Sequence, residues 1–306
     1  MKKSFIEVIK KNERVQNIRD QVRQFYFRFL ISDEELIKKR FRDRLGREVN
    51  LVNPVKYNDK LQWLKLNWFN PLAIKCADKY EVREFVTKKI GSEYLNELYG
   101  VYESVEELNI EELPNSFVLK GTHGSGYNII IKDKSQMDWN RECKKMRRWL
   151  RKNYFWQNRE WVYKNIPPRI VAERYIEEIE NGGLRDYKFF CFNGKPKIIQ
   201  VDFNRYEDHK RNFYDLDWNL LDIEIKYPSD KNRKISKPET LMKMIRLSEI
   251  LSEDFPHVRV DFYSVKDNII FGELTFFHES GMGKFKPEIF EYKMGRWLDL
   301  PFENKN

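Results

Sequence analysis

The chain has 306 residues, enough for one large domain or two closely packed ones with an ample core. Its 15% aromatic and 34% charged content reads as globular and excludes a disordered chain. The net charge of +9 favours anionic partners: nucleotide phosphates, uronic-acid polymers, nucleic acid or an anionic membrane surface. No apolar run reaches bilayer length, and the charged start MKKSFIEVIKKNERV lacks the apolar segment of a secretory signal. Cys76, Cys143 and Cys191 are odd in number and far apart, without metal-ligand spacing. A reducing, cytoplasmic setting is the expectation.

In chain order, residues 1–48 read as helix, with Gly46 placed to end the last turn. The segment between Pro54 and Pro71 has helical spacing at Leu61, Leu64 and Trp68. A helix over about 77–89 follows, with Gly91 as its stop. The stretch FVLKGTHGSGYN then reads as a strand that delivers Lys120 into a loop with Gly121, Gly124 and Gly126, and Ile129-Ile130-Ile131 leaves it as a second strand. Glycines let backbone amides approach a phosphate and form an anion-binding nest, to which Lys120 adds a point charge. The lysine precedes the glycines and no helix follows, so this is not a Walker A loop. Next come a basic amphipathic helix over 139–152 and an aromatic connector, NYFWQNREWVYKNIPP.

After Pro168 strands take over. RIVAERYIE is a short buried strand, and DYKFFCFNGKPKIIQVDF a hairpin turning at Asn193-Gly194. RNFYDLDW adds a strand, residues 239–252 a helix, and VRVDFYSVKDNIIFGELTF a last hairpin turning at Asp267-Asn268. The fold class is α+β, helix-rich at the front and antiparallel at the back. In the last hairpin, period-2 geometry puts Glu273 and Thr275 on one face, and pairing brings Asp261 beside them. Facing carboxylates repel unless neutralised, which Mg²⁺ does while keeping water and phosphates as its other ligands. Arg259 sits between apolar neighbours two residues before Asp261.

These segments resemble the ATP-grasp superfamily, and within it the TupA-like branch associated with bacterial polysaccharide biosynthesis. The resemblance spans roughly residues 50–300 and is carried by DKYEVREFV, VLKGTHGSG, REWVYKNIPPRIVAERYIE, RDYKFFCFNGKPKIIQVD, RNFYDLDWN and VRVDFY…GELTF…SGMGKF, in that order. It implies a helical extension over 1–56 and an ATP-grasp domain over 57–306. The domain would consist of a glycine-loop lobe over 57–172 and a metal and substrate lobe over 173–306, with mainly antiparallel sheets enclosing a nucleotide cleft. By the same resemblance Lys79 and Lys120 contact ATP, with Gly124-Ser125-Gly126 as the loop over its phosphates. Glu173-Arg174-Tyr175-Ile176 is the hinge that holds the adenine, and Asp186 or a neighbour reaches the ribose. Asp261 and Glu273 ligate Mg²⁺, while Thr275 stands where many members have asparagine. Arg259 steadies the transferring phosphoryl group, and Ser280-Gly281 binds the reacting carboxylate or phosphate.

Lys188, Arg205 and Arg211 lie on or near cleft strands and read as carboxylate-binding or as ordinary strand-surface cations. His123 reads equally as a phosphate contact or an exposed loop residue, and His278 as a site or a bystander. Trp156, Trp161 and Tyr163 either stack on a sugar ring or pack a subdomain interface. The function implied is ATP-dependent ligation of a carboxylate to an amine through an acyl phosphate, the carboxylate belonging to a uronic acid or another component of a surface polysaccharide. The rivals are a kinase of a sugar or small molecule and a non-catalytic binder of anionic glycan or nucleic acid. Nucleic acid is not the expected partner, since the Asp261–Glu273 pair would repel phosphates without a metal.

Overall fold

The computed structural model describes residue 22 and residues 28–176, 185–203, 209–233, 235–265 and 268–301. Helix α1 (Asp33–Leu45) starts where Ser32 and Glu35 form a reciprocal capping box and stops at Gly46, which has φ 71°. The helix expected over 1–48 is therefore interrupted: the chain turns at Leu30 and restarts at Asp33, because Ser32 caps a new helix there. Helix α2 (Tyr57–Asn67) leads into α3 (Pro71–Ala77) and α4 (Val82–Ile90). The single helix read over 77–89 is a second correction. Asp78 turns its carboxylate onto the backbone N–H groups of Tyr80 and Glu81 at 2.8 and 3.4 Å and accepts from Arg169 at 2.6 Å, which ends α3 and delays α4. The break leaves Lys79 outside both helices.

Two antiparallel sheets carry the rest. The first joins β1 (Leu98–Tyr102), β2 (Phe117–Gly121), β3 (Asn128–Ile131) and β4 (Ile170–Arg174) in the order β1-β4-β2-β3. Helix α5 (Trp139–Leu150) covers it, and Phe117, Leu119, Ile129, Ile131, Met146 and Trp149 close their core. The aromatic connector forms the short helix α6 (Phe155–Asn158) and a buried turn. There Trp161 packs on Trp68 at 5.2 Å between ring centroids, and Trp156 on Phe155 at 4.8 Å.

The second sheet contains β5 (Asp186–Phe192), β6 (Lys195–Phe203), β7 (Lys210–Tyr214), β8 (Leu220–Leu221), β10 (His257–Val265) and β11 (Asn268–Thr275) in the order β11-β10-β5-β6-β7-β8. The hairpin β5–β6 turns at Asn193-Gly194, both at positive φ, as the sequence predicts. The strand expected through Trp218 ends at Tyr214 instead, because the Asp215 carboxylate accepts from the N–H groups of Asp217 and Asn219 and folds the chain into a turn. Helix α7 (Leu241–Ser252) covers one face of this sheet, and the other carries the polar groups described below. A small pair, β9 (Glu224–Ile225) with β12 (Phe285–Lys286), and helix α8 (Ile289–Trp297) complete the fold. All three cysteines are free thiols. Among the described residues no helix is long and apolar enough to cross a membrane.

Helix α8 lies against the segment entering α2, and Gly295 makes that approach possible: a Cβ there would sit 2.0 Å from the Val55 carbonyl oxygen. Alanine is the better helix former by about 1 kcal/mol, but backbone that close must move, which typically costs about 1–3 kcal/mol. Gly295→Ala is therefore expected to lower the unfolding free energy in denaturant titration. An unchanged or raised midpoint would contradict this packing.

Candidate functional site

Strand register lays polar side chains in rows across the second sheet. Glu273 on β11 pairs with Asp261 on β10, Asp261 with Lys188 on β5, and Lys188 with Gln200 on β6. One row over, Thr275 pairs with Arg259, and on the other side Asp186 pairs with Asp202 and Asp202 with Arg211. A β-bulge makes the first row possible. Asp261 pairs with Glu273 but Phe262 with Phe271, so Gly272 is the extra residue. Without it, strict alternation would put Phe271 on the same face as Glu273. With it, Phe271 is buried beside Phe262, 6.3 Å between centroids, while Glu273 faces Asp261.

Arg259 organises this face. It is buried and holds Asp261 with two bonds of 2.7 Å, from Nε to Oδ1 and from Nη2 to Oδ2. Nη2 also donates to Glu273 at 3.2 Å and to Thr275 Oγ1 at 3.1 Å, and Nη1 to His278 Nδ1 at 2.7 Å. Burial disfavours the guanidinium charge, but Asp261 and Glu273 outweigh it, so its pKa is raised. His278 is neutral: burial and then Arg259 push its pKa well down, and the arginine bond makes Nδ1 the acceptor. Lys188 adds a second cation, 2.6 Å from Asp261 and 2.5 Å from Asp186. Asp186, expected with its neighbours near the ribose, is buried and pairs with Lys188.

Glu273 is the open member of the network, with 37% of its side chain exposed against 2% for Asp261. Burial alone would raise its pKa, but Lys79, Arg259 and Lys188 together lower it to about 2. Its second oxygen lies 3.8 Å from Lys79 Nζ, and the same ammonium donates to the Gly124 carbonyl at 2.8 Å. Lys79, freed by the helix break, thereby joins the glycine loop to the polar face of the second sheet. Lys120 leaves β2 beside that loop and pairs with Glu173 on β4 at 2.7 Å. Arg174 is exposed, Tyr175 and Ile176 are half-buried at the end of β4, and Ser125 and Gly126 are exposed at the loop tip. His123 is not exposed; its Nε2 is 2.8 Å from the Trp149 carbonyl, which pins the ring under α5.

Ser280 and Gly281 occupy a left-handed turn, with φ of 47°, 56° and 62° at Glu279, Ser280 and Gly281. Such a run is costly for non-glycine residues and persists only when held from outside. Gln62 of α2 donates to the carbonyls of Ser280 and Gly281 at 2.9 and 2.7 Å, and Lys65 donates to Ser280 at 2.8 Å. Asn158 and Glu160 hold the Ser280 hydroxyl. A Cβ on Gly281 would lie 2.4 Å from Gln62 Nε2, so this position needs glycine. Lys65 is buried, and burial lowers its pKa to about 8 against the pull of Glu160. The sequence reading missed Gln62, Lys65, Asn158 and Glu160; only the i, i+3 spacing of Gln62 and Lys65 on α2 hints that they act together.

A cavity of about 450 Å³ opens over this face, lined by Ser125, Lys188, Arg211, Arg259, Glu273, Thr275 and Ser280 among the residues the sequence singled out. Tyr163 also lines it, whereas Trp156 and Trp161 pack aromatic neighbours. Arg205 lies outside the described residues. The oxygen-only donors Asp261, Glu273 and Thr275 suit Mg²⁺ in kind. Glu273 is ionised and open to it, while both Asp261 oxygens are held by Arg259 and Lys188, so Lys188 would have to yield one. Among the described residues no group of three His, Cys, Asp or Glu side chains forms a metal cluster, so the remaining ligands would be phosphate and water.

The two carboxylates differ in what they hold up. Asp261→Asn takes the closest counter-charge from two buried cations, leaving Arg259 only Glu273 at 3.2 Å and Lys188 only Asp186, and is expected to cost roughly 2–4 kcal/mol, short of stranding a buried charge outright. Glu273→Gln removes a half-open charge and is expected to cost under about 1 kcal/mol. Denaturant titration of both variants tests this ranking, and equal stabilities would contradict it.

No curated protein matches this chain. Among solved structures it is similar to D-alanine–D-alanine ligase from Bacillus anthracis, with 16% identity and a TM-score of 0.36 over 77% of this chain and 62% of that one. The corresponding enzyme of Helicobacter pylori gives 12% identity and a TM-score of 0.39 over 81% and 67%. The ATP-grasp ligase PsnB, complexed with minimal precursor, Mg and ADP, gives 11% and 0.35 over 71% and 57%. The chain thus spans less than two thirds of the Bacillus anthracis and PsnB structures. The family model described as TupA-like ATPgrasp matches residues 59–298, and the chain belongs to that family.

Proposed function

We propose that the protein is an ATP-dependent carboxylate–amine ligase that forms an amide through an acyl phosphate. The observation that carries this reading is the bridge made by Lys79 between the Gly124 carbonyl and Glu273, which sets a glycine loop over a face bearing Arg259, Asp261 and Glu273. In this reading ATP lies between the sheets, with its phosphates under Gly124, Ser125 and Gly126 and against Lys79 and Lys120. Its adenine lies at the 173–176 segment. Glu273 and Asp261 would hold a magnesium ion, whose chemistry there would be to offset negative charge on the phosphoryl oxygens.

The carboxylate substrate sits at the Ser280–Gly281 turn and attacks the γ-phosphorus, forming the acyl phosphate and releasing ADP. Arg259 stabilises charge on the transferring group from a fixed position, so little reorganisation accompanies the step. A neutral amine then attacks the acyl carbon, the C–N bond forms as the C–O bond to phosphate breaks, and the amine loses a proton. The cations in the cavity and the net charge of +9 support an acidic carboxylate such as a uronic acid of a surface polysaccharide. The family's association with polysaccharide biosynthesis supports the same choice.

An ADP-release screen of uronic acids and amino acids, run with hydroxylamine in place of the amine, tests the reading. Hydroxylamine intercepts an acyl phosphate as a hydroxamate, so the expected result is ATP-dependent hydroxamate detected by mass spectrometry. A stable phosphorylated product without hydroxamate favours a kinase. Nucleotide binding without any turnover across the panel favours a non-catalytic protein.

A further inference from the structure

Helix α1 precedes the span matched by the family model, yet it is built into the wall of the cavity. Leu36, Ile37 and Phe41 are buried against the domain. Asp33 pairs at 2.6 Å with Arg159, the residue between Asn158 and Glu160, both of which line the cavity. Just past the helix, Arg47 pairs with Asp59 of α2 and Glu291 of α8, each at 2.8 Å. The helix is therefore fixed at both ends.

Arg44, in its last turn, lines the same cavity. Three nearby cations are paired, Lys38 with Glu34, Arg42 with Glu48, and Arg47 as above, whereas Lys39 on the same helix is exposed and does not line the cavity. Arg44 has no hydrogen bond or ion pair to any described residue. Other cations lining the cavity are partly neutralised, Arg211 by Asp202 and Glu279, and Lys226 by Glu279. A cation near a helix C-terminus also suits the helix dipole, which by itself would explain Arg44 without any ligand. Exposed at a cavity whose other cations already have partners, it supplies the one lining cation without a counter-charge among the described residues, which an anionic substrate group would meet.

We propose that Arg44 binds an anionic group of the acidic substrate in the cavity that Lys226 and Arg211 also line, so that the N-terminal helix is a specificity-determining wall of the site. This inference rests on the ligase reading and names the class of its carboxylate substrate as a molecule with more than one acidic group, such as an oligouronate. A guanidinium binds a carboxylate through charge-assisted, often paired hydrogen bonds.

The test is calorimetric titration of trigalacturonate into the full chain saturated with MgADP, with neutral maltotriose as the control. Wild type is expected to bind trigalacturonate and not maltotriose. R44A and R44E are expected to weaken trigalacturonate at least about tenfold, the effect of losing one charge-assisted contact. R44K is expected to retain part of the affinity, and MgADP affinity to stay the same in all four proteins. Equal trigalacturonate affinity in wild type and R44E, or no binding to wild type, overturns the inference while leaving the nucleotide site intact. Failure of wild type to bind MgADP overturns the reading of function and this inference with it.

Discussion

The polar face of the second sheet depends on one buried ion pair, Arg259 with Asp261. Neither partner is tolerable alone in that position, since a buried unpaired charge costs several kcal/mol. Together they leave the arginine with two further directions to donate, and it uses them on Glu273, Thr275 and His278. Glu273 is in this way held ionised and aimed at the cavity. His278 is held neutral, and the chain leaving β11 is tied back to the sheet before it enters the left-handed turn at Ser280.

Two local irregularities set what surrounds that pair. The bulge at Gly272 lets Phe271 stay in the core while Glu273 stays on the polar face. The break between α3 and α4 frees Lys79 to reach both Gly124 and Glu273. Each departs from a regular period and places a charged group where a regular element would not. The strained turn at 279–281 is a third irregularity, and α2 supports it with Gln62 and Lys65. These three irregularities shape one cavity, as expected where function competes with regular structure.

Much of this was legible in the sequence where the information is local. The α+β class, the antiparallel hairpins, the turn at Asn193-Gly194 and the ATP-grasp resemblance are all borne out. The facing of Asp261 and Glu273 followed from alternation near the end of the last hairpin, although the bulge that permits it did not: a glycine in a strand is ambiguous until its partner strand is known. The helix read over 77–89 failed because periodicity does not register Asp78 folding back onto its own backbone. Trp218 was read into a strand for a similar reason, with Asp215 as the turn-former. Lys65 and Arg44 were unreadable because their surroundings come from far along the chain: Lys65 meets Ser280, and Arg44 shares a cavity with Lys226. The pairing of Asp186 with Lys188, two residues on, was not legible either, since it needs both side chains on one buried face of β5.

A ligase of the proposed kind joins a carboxylate oxygen to the γ-phosphorus of ATP. Oxygen tracing measures that bond directly. A carboxylate substrate labelled with ¹⁸O in its carboxyl group, incubated with the enzyme, MgATP and an amine, passes one labelled oxygen to phosphate when the acyl phosphate is broken. The expected product is inorganic phosphate carrying one ¹⁸O atom, seen as an isotope shift in the ³¹P spectrum, in step with amide formed. Amide or phosphorylated product accompanied only by unlabelled phosphate would contradict it.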